Sequence, residues 1–321
     1  MPLTEFSLID RFFNAQTMSR EDVAIGIGDD AAVLNVPPDQ QLVAAVDTLV
    51  AGVHFPASAT AASIGHKALA VNLSDLAAMG ARPTWALLAL TLPAIDEVWV
   101  QEFAAGFFTL AKRFNVALVG GDTTQGPLSV SVQLFGCVPK GQAIQRRGAQ
   151  PGDQIYVTGT LGDAGLALRQ ILADAHCPEA LALRLHMPEP RVHLGESLRG
   201  LATAAIDVSD GLLADLGHIL SRSNVGARIR ADHVPRSAAF QTQLSNTDDD
   251  WYALPLSAGD DYELCFTVPL SRSAAVHGLA DRWQCAVTHL GEIVDEPGLK
   301  CVYEDGSAYV DRGRGYEHFR I

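Results

Sequence analysis

The sequence predicts a two-domain α/β protein, on three observations. Strand-like runs rich in Val, Leu and Ala alternate with segments of helical period, a turn-rich stretch divides the chain near its middle, and 321 residues that are 48% hydrophobic suffice for two buried cores.

QLVAAVDTLV (Gln41 to Val50) reads as a buried strand ending near Asp47. A helix follows: Thr60 or Ser63 caps it, it runs to Met79, Gly80 sits where a C-terminal glycine belongs, and Pro83 prevents continuation. Asp96 caps the next helix, in which Val100, Phe103, Phe107, Leu110 and Phe114 recur at helical spacing. The strand VALVGGD comes after it, and Leu128 to Val138 is another. RRGAQPGD (Arg146 to Asp153) is rich in turn formers and almost free of large apolar residues, which marks a hinge or a boundary. Beyond it QIYVTG is a strand, a glycine loop leads to a helix from about Asp163, and TAAIDVSDGLLADLGHILSRS repeats strand, loop and helix with Leu213, Leu216 and Leu220 on one face. LCFTV, AVTHLGEIV and the hairpin-like CVYEDGSAYV complete the second domain.

Composition narrows the function. A net charge of −14 disfavours nucleic acid as a partner and suits either plain solubility or acidic sites that recruit cations, two readings that composition does not separate. The first residues, MPLTEFSLIDRFF, lack the basic and apolar regions of a signal peptide, which implies a cytoplasmic protein. The apolar stretch Pro83 to Ile95 falls short of the ~20 residues of a membrane helix, so no membrane partner is expected. Five scattered cysteines without C-x-x-C spacing point to neither zinc nor disulfides. The chain has no Gly-Lys dipeptide, hence no Walker A loop, and no H-R-D, D-F-G, H-E-x-x-H or G-x-S-x-G; TGTLGDAG departs from the dinucleotide spacing GxGxxG.

What remains is carboxylates: Asp29, Asp30, Asp47, Asp75, Asp122, Asp207, Asp210, Asp260, Asp261 and Glu263, many flanking glycines just after apolar strands. Taken singly, a Gly-Asp turn is more often an Asx-turn or a helix cap than a ligand. Together, at strand ends where α/β folds build sites, such acids need protons, arginines or cations if they converge, and Mg²⁺ takes oxygen ligands of this kind along with phosphates. Asp75 lies inside a helical pattern, sharing a face with Val71, Asn72 and Met79, and needs a partner if that face is buried.

The ordered set EFSLIDRFF, GIGDDAAVL, VDTLVAGVHF, NLSDLAAMGARP, GGDTT, RRGAQPGD, VTGTLGDAGLAL, DVSDGLLADL, SAGDDYEL and GYEHF resembles the thiamine-monophosphate kinase family over nearly the whole chain. Related families are aminoimidazole ribonucleotide synthetase, selenophosphate synthetase and a hydrogenase-maturation protein, all of which use ATP without a P-loop. The resemblance implies ATP-dependent conversion of thiamine monophosphate to thiamine diphosphate by direct in-line transfer, with several Mg²⁺ ions and no protein nucleophile or base. It implies Asp30, Asp47, Asp75, Asp122, Asp207 and Asp210 as Mg²⁺ ligands, with Asp29 adjacent. Gly121, Asp122, Arg146 and Ser209 are implied as ATP contacts, and His54, Glu263 and Phe319 as contacts of thiamine monophosphate. For the fold it implies an N-terminal α/β domain, 1–138, that binds ATP and Mg²⁺ and whose mixed sheet forms a barrel with that of a second copy, in a homodimer, and a C-terminal α/β domain, 150–321.

The chain departs from the family where Thr-Asp-Thr-Leu-Val-Glu is usual: Val46-Asp47-Thr48-Leu49-Val50-Ala51 lacks the hydroxyl at position 46, which like Ala45 can offer metal only its carbonyl. Selenophosphate synthetase is disfavoured, since the first Lys is Lys67 and the first Cys is Cys137. Another enzyme of the superfamily, a two-metal phosphohydrolase and a non-catalytic nucleotide-binding protein are the competing readings. Release of phosphate from thiamine monophosphate without ATP would mark the phosphohydrolase; ATP left intact with every acceptor would mark the binding protein.

Overall fold

A computed structural model describes residues 4–243 and 252–310. The chain forms two compact units, Met1–Leu76 with Ala81–Gly141, and Ala77–Gly80 with Gln142–Ile321.

In the first unit, α1 (Glu5–Leu8) and the short β1 (Val23–Ile25) and β2 (Val33–Leu34) precede β3 (Gln40–Val50), α2 (Ala61–Ala78), β4 (Arg82–Leu92), α3 (Glu97–Arg113), β5 (Ala117–Gln125) and β6 (Ser129–Pro139). The longer strands form a mixed sheet in the order β3-β6-β4-β5, antiparallel except for the β4–β5 pair. Both helices begin where a side chain accepts the first free N–H groups: Thr60 Oγ1 takes that of Ser63 at 3.2 Å, and Asp96 Oδ1 takes those of Val98 and Trp99 at 2.9 and 3.2 Å. α2 ends at a left-handed Gly80, φ 65°, as its position foretold. The apolar stripe of α3 is buried as its spacing predicts, Val100, Phe103 and Phe107 completely.

Two strands differ from the sequence reading. β4 occupies the apolar Pro83 to Ile95 stretch, which periodicity leaves unassigned; it is an inner strand, so residues of both its faces, Trp85, Ala86, Leu88 and Leu90, are buried and no alternation shows. β3, expected to be buried, is an edge strand with one open face, on which Leu42, Val46 and Val50 are 48%, 64% and 36% exposed. Its apolar residues on both faces hid that alternation.

In the second unit, β7 (Asp153–Thr158), α4 (Asp163–Leu172), α5 (Glu179–His186), α6 (Val192–Ser197), β8 (Ala204–Val208), α7 (Leu212–Ser223), β9 (Gly226–Arg230), α8 (Ala238–Gln243), α9 (Ala253–Ser257), β10 (Glu263–Pro269), α10 (Ser273–Trp283), β11 (Val287–Val294) and β12 (Gly298–Val302) follow in order. Six strands form one sheet, β12-β9-β11-β7-β10-β8, antiparallel except where β12 runs parallel to β9. Leu212, Leu216, Ile219 and Leu220 of α7 pack into a core with Ile206, Val208, Ile229 and Cys265. Burying each such large side chain contributes about 1.5–3 kcal/mol. All five cysteines are free thiols, four of them buried. Among the described residues no helix is long and apolar enough to cross a membrane.

α2 and α3 touch through a reciprocal pair of glycines. A Cβ on Gly65 would stand 2.1 Å from the Phe103 carbonyl oxygen, and one on Gly106 would stand 1.9 Å from that of Ala62. Gly106→Ala is therefore expected to cost about 1–3 kcal/mol through overpacking. Gly217→Ala in α7, where the new methyl meets nothing within 4 Å, is expected to stabilise by up to about 1 kcal/mol. Urea unfolding of the two variants beside the parent checks both signs.

Candidate functional site

In the first unit, the open face of the sheet forms the floor of a cavity of about 1130 Å³. Val46, Ser131, Gln133, Phe135, Leu87, Ala89 and Asp122 come from the strands, Phe6, Ile9, Asp10 and Phe13 from the N-terminal turns, and Gly28, Asp29 and Asp30 from the segment between β1 and β2. Asp29 Oδ1 accepts the Asp30 N–H at 2.9 Å, so it shapes the turn that carries Asp30. Gly121 stands at φ 155° against β4, where any Cβ would come 1.8 Å from the Leu88 carbonyl oxygen. That close approach accounts for the glycine before Asp122. Asp30, Gly121 and Asp122 are thus brought to one apolar-walled cavity.

Asp47 and Asp75 belong to the other side of the sheet. Val46 lines the cavity, so its neighbour Asp47 faces the opposite way. There it is hydrogen-bonded with Asp75 of α2; burial pushes the Asp47 carboxyl above its ordinary range, and the bond to Asp75 offsets part of that rise. The partner that the sequence required for Asp75 thus includes a second acid, and a pair of carboxyls in contact needs a shared proton or a cation. One turn earlier on α2 the wholly buried Asn72 donates to the Ala68 carbonyl, while its Oδ1 lacks a hydrogen-bond partner. His54 lies in the tight turn after β3, where its Nδ1 accepts the Val50 N–H at 2.9 Å. This bond places the proton of the neutral ring on Nε2.

The second unit carries Asp207 at the end of β8, Ser209 and Asp210 in the loop after it, and Arg146 in the segment before β7. Asp207 is buried, Ser209 and Asp210 are half-buried, and Arg146 is exposed. Asp215, in the first turn of α7, is a residue that sequence reasoning missed. Its Oδ2 accepts the N–H groups of Ser209, Asp210 and Gly211 at 3.0, 3.0 and 3.1 Å. Burial first, and then the charge of Asp207, push Asp215 up to about 7. Among the described residues no three Asp, Glu, His or Cys side chains group closely enough to hold one metal ion. Within each unit the acids meet in smaller sets.

Glu263 departs from its expected role. It is fully buried, and both its oxygens are engaged: Arg191 Nε and Arg184 donate at 2.7 and 2.8 Å, Thr158 Oγ1 at 2.6 Å, and a second Arg191 nitrogen at 2.6 Å. Burial works to raise its pKa, but Arg191 and then Arg184 hold it below the ordinary value. An acid so enclosed ties β10 to β7 and to the α5–α6 segment. In the same stretch Asp260 is half-buried and Asp261 buried, the latter accepting the Gly162 N–H with both oxygens. Asp260 stands at φ 64° and Tyr262 at φ 53°, backbone conformations that side-chain-bearing residues seldom adopt. Asp260 also donates its N–H to the Ser209 carbonyl at 2.8 Å, so the two loops are joined. Phe319 lies outside the described residues.

If Glu263 is an internal anchor, Glu263→Gln leaves two buried guanidinium groups short of their counter-charge and costs about 3–5 kcal/mol in urea unfolding. A loss under about 1 kcal/mol would return the residue to the ligand-binding set.

Residues 28–138 match the family described as AIR synthase related protein, N-terminal domain, and residues 150–304 match AIR synthase related protein, C-terminal domain. The thiamine-monophosphate kinase of Escherichia coli (strain K12) is 47% identical over 324 residues, covering 99% of both chains. Among solved structures, thiamine-monophosphate kinase from Stenotrophomonas maltophilia K279a has a TM-score of 0.88 at 51% identity, covering 96% of this chain and 99% of its own. AaThiL complexed with AMPPCP and TMP has a TM-score of 0.77 at 30% identity, covering 99% of each chain. Two domains matched in order, and relatives matched end to end, establish that the chain belongs to the thiamine-monophosphate kinase family.

Proposed function

We propose that the protein transfers the γ-phosphoryl group of ATP to thiamine monophosphate, yielding thiamine diphosphate and ADP, in the cytoplasm where ATP is the donor. The observation that carries this reading is 47% identity over 99% of both chains with a thiamine-monophosphate kinase. The AaThiL complex with AMPPCP and TMP supports the same pair of substrates, AMPPCP being an analogue of ATP.

The donor set fits Mg²⁺. Asp30, Asp47, Asp75, Asp122, Asp207 and Asp210 offer only oxygen, and the orphaned Asn72 Oδ1 lies one turn from Asp75. Small sets of carboxylates suit an ion that keeps several waters and shares itself with phosphates. Held by these residues, Mg²⁺ would supply the neutralisation of phosphate charge that lysines give in a P-loop. Gly121, Asp122, Arg146 and Ser209 contact ATP, with Arg146 supplying a fixed positive charge. His54 donates from Nε2 to the acceptor phosphate, and Phe319 stacks on the acceptor ring. Asp260 replaces Glu263 as the acid offered to that ring, because it is the half-buried carboxylate of the joined loops.

No residue need act as nucleophile or base. The acceptor is a phosphate monoester with a second pKa near 6, so at pH 7 its oxygen is largely deprotonated before binding. Incubation with Mg²⁺, ATP and thiamine monophosphate should yield thiamine diphosphate and ADP in equal amounts, with inversion at a chiral γ-phosphorus. Phosphate released from thiamine monophosphate without ATP would establish a hydrolase instead. Asp30→Asn, Asp122→Asn and Asp207→Asn should each fold and lose at least tenfold in kcat, in part restored by excess Mg²⁺, since an amide is a neutral and poorer ligand. Near-normal turnover of all three at limiting Mg²⁺ would remove these residues from the site.

A homodimer belongs to this reading. Leu42, Val46 and Val50 leave an apolar face of edge strand β3 exposed, and a second copy of the chain would cover it. Val46→Glu should then convert a dimer to a monomer in light scattering, whereas an unchanged mass would place the interface elsewhere.

A further inference from the structure

We infer that Asp215 is a positioning residue for the ATP-side loop, an inference that rests on the kinase reading above. α7 begins at Leu212, and its N-cap is Gly211, which stands at φ 116° and has no side chain with which to cap. The cap comes instead from inside the helix. Asp215 bonds its own N–H to the Gly211 carbonyl at 2.9 Å and folds its carboxylate back so that one oxygen gathers the N–H groups of Ser209, Asp210 and Gly211. Three backbone donors converging on one point at a helix N-terminus are the arrangement with which many nucleotide folds hold phosphate. Here the acceptor is the chain's own buried carboxylate, 2% exposed. The helix end is therefore filled, and what the loop offers a nucleotide is the Ser209 hydroxyl and the Asp210 carboxylate.

An ordinary cap would not choose this residue. Asn or Ser in the loop would satisfy the same donors without bringing a third carboxylate beside Asp207 and Asp210, whose charges both act on Asp215. What Asp215 adds is one anchor for three consecutive residues. Ser209 is held on its other side too, its carbonyl accepting the Asp260 N–H at 2.8 Å. The peptide units on both sides of the Ser209 and Asp210 side chains are thereby fixed before any ligand arrives, which lowers the ordering cost of binding.

The test uses the full-length chain, with Asp215→Asn, which keeps an acceptor oxygen, and Asp215→Ala, which has none. Steady-state kinetics should show the KM for Mg·ATP raised at least tenfold in Asp215→Ala, the KM for thiamine monophosphate within twofold of the parent, and Asp215→Asn within threefold of the parent for both. Amide hydrogen exchange should show the N–H groups of residues 209–211 protected in the parent and in Asp215→Asn, and exchanging at least tenfold faster in Asp215→Ala. The inference is overturned if both KM values rise together, if only the melting temperature changes, or if Asp215→Asn behaves as Asp215→Ala does. Should Asp215→Ala not fold, exchange in the parent decides: protection of the three amides supports the anchor, and free exchange overturns it. A parent without kinase activity would defeat the kinase reading alone, leaving amide exchange to judge the hold of Asp215 on the loop.

Discussion

The contact between Asp47 and Asp75 is the interaction on which the function proposed for the first unit depends. Two carboxyls hydrogen-bonded to one another beneath a sheet, with burial raising the pKa of Asp47, are unfavourable unless a proton or a cation is shared between them. On the far face of the same sheet Asp30 and Asp122, both exposed, line a cavity otherwise walled largely by apolar side chains. A net charge of −14 adds a background field that draws cations toward both places. The proposed handling of phosphates through metal ions instead of lysine rests on these conditions.

The second unit treats its acids in two ways, and the contrast separates scaffold from site. Glu263 and Asp163 are neutralised internally: Glu263 takes Arg184 and Arg191, and Asp163 stands 3.8 Å from Arg184 while Thr160 and Ser237 donate to it. Such a network locks α5 and the start of α6 to the strands. The loop of Ser209 and Asp210 is instead held through its backbone, by Asp215 from one side and by Asp260 from the other. The backbone hold leaves the placing of the Ser209 and Asp210 side chains to the loop itself.

Local rules made much of the fold legible. The caps at Thr60 and Asp96, the glycine after α2 and the Phe103–Phe107 stripe all follow from spacing and hydrogen-bond chemistry, and each stands in the structure. Where a strand is apolar on both sides, period carries no orientation; this hid β4 inside the sheet and the open face of β3 at its edge. The site was legible as a list of acids but not as a set of environments. Nothing in SAGDDYEL reveals that Glu263 is the enclosed acid and Asp260 the half-buried one, because the arginines that enclose Glu263 come from positions 184 and 191. Asp215 was hidden for a related reason: within ADL it reads as an ordinary helical residue, and only the backward turn of its side chain reveals the loop it holds.

The central claim, that the acids are placed for divalent cations, is tested most directly by thermal unfolding of the parent and of an Asp47→Asn, Asp75→Asn double variant across a Mg²⁺ series. A ligand bound only by the folded chain stabilises it by about 2.7 kcal/mol at a hundredfold excess over its Kd, equivalent to several degrees in Tm. The parent should gain that rise. The double variant should match or exceed the parent without Mg²⁺, since its carboxyl contact is gone, and should lose most of the response. A Tm indifferent to Mg²⁺ in the parent, or an equal rise in both proteins, would contradict the assignment.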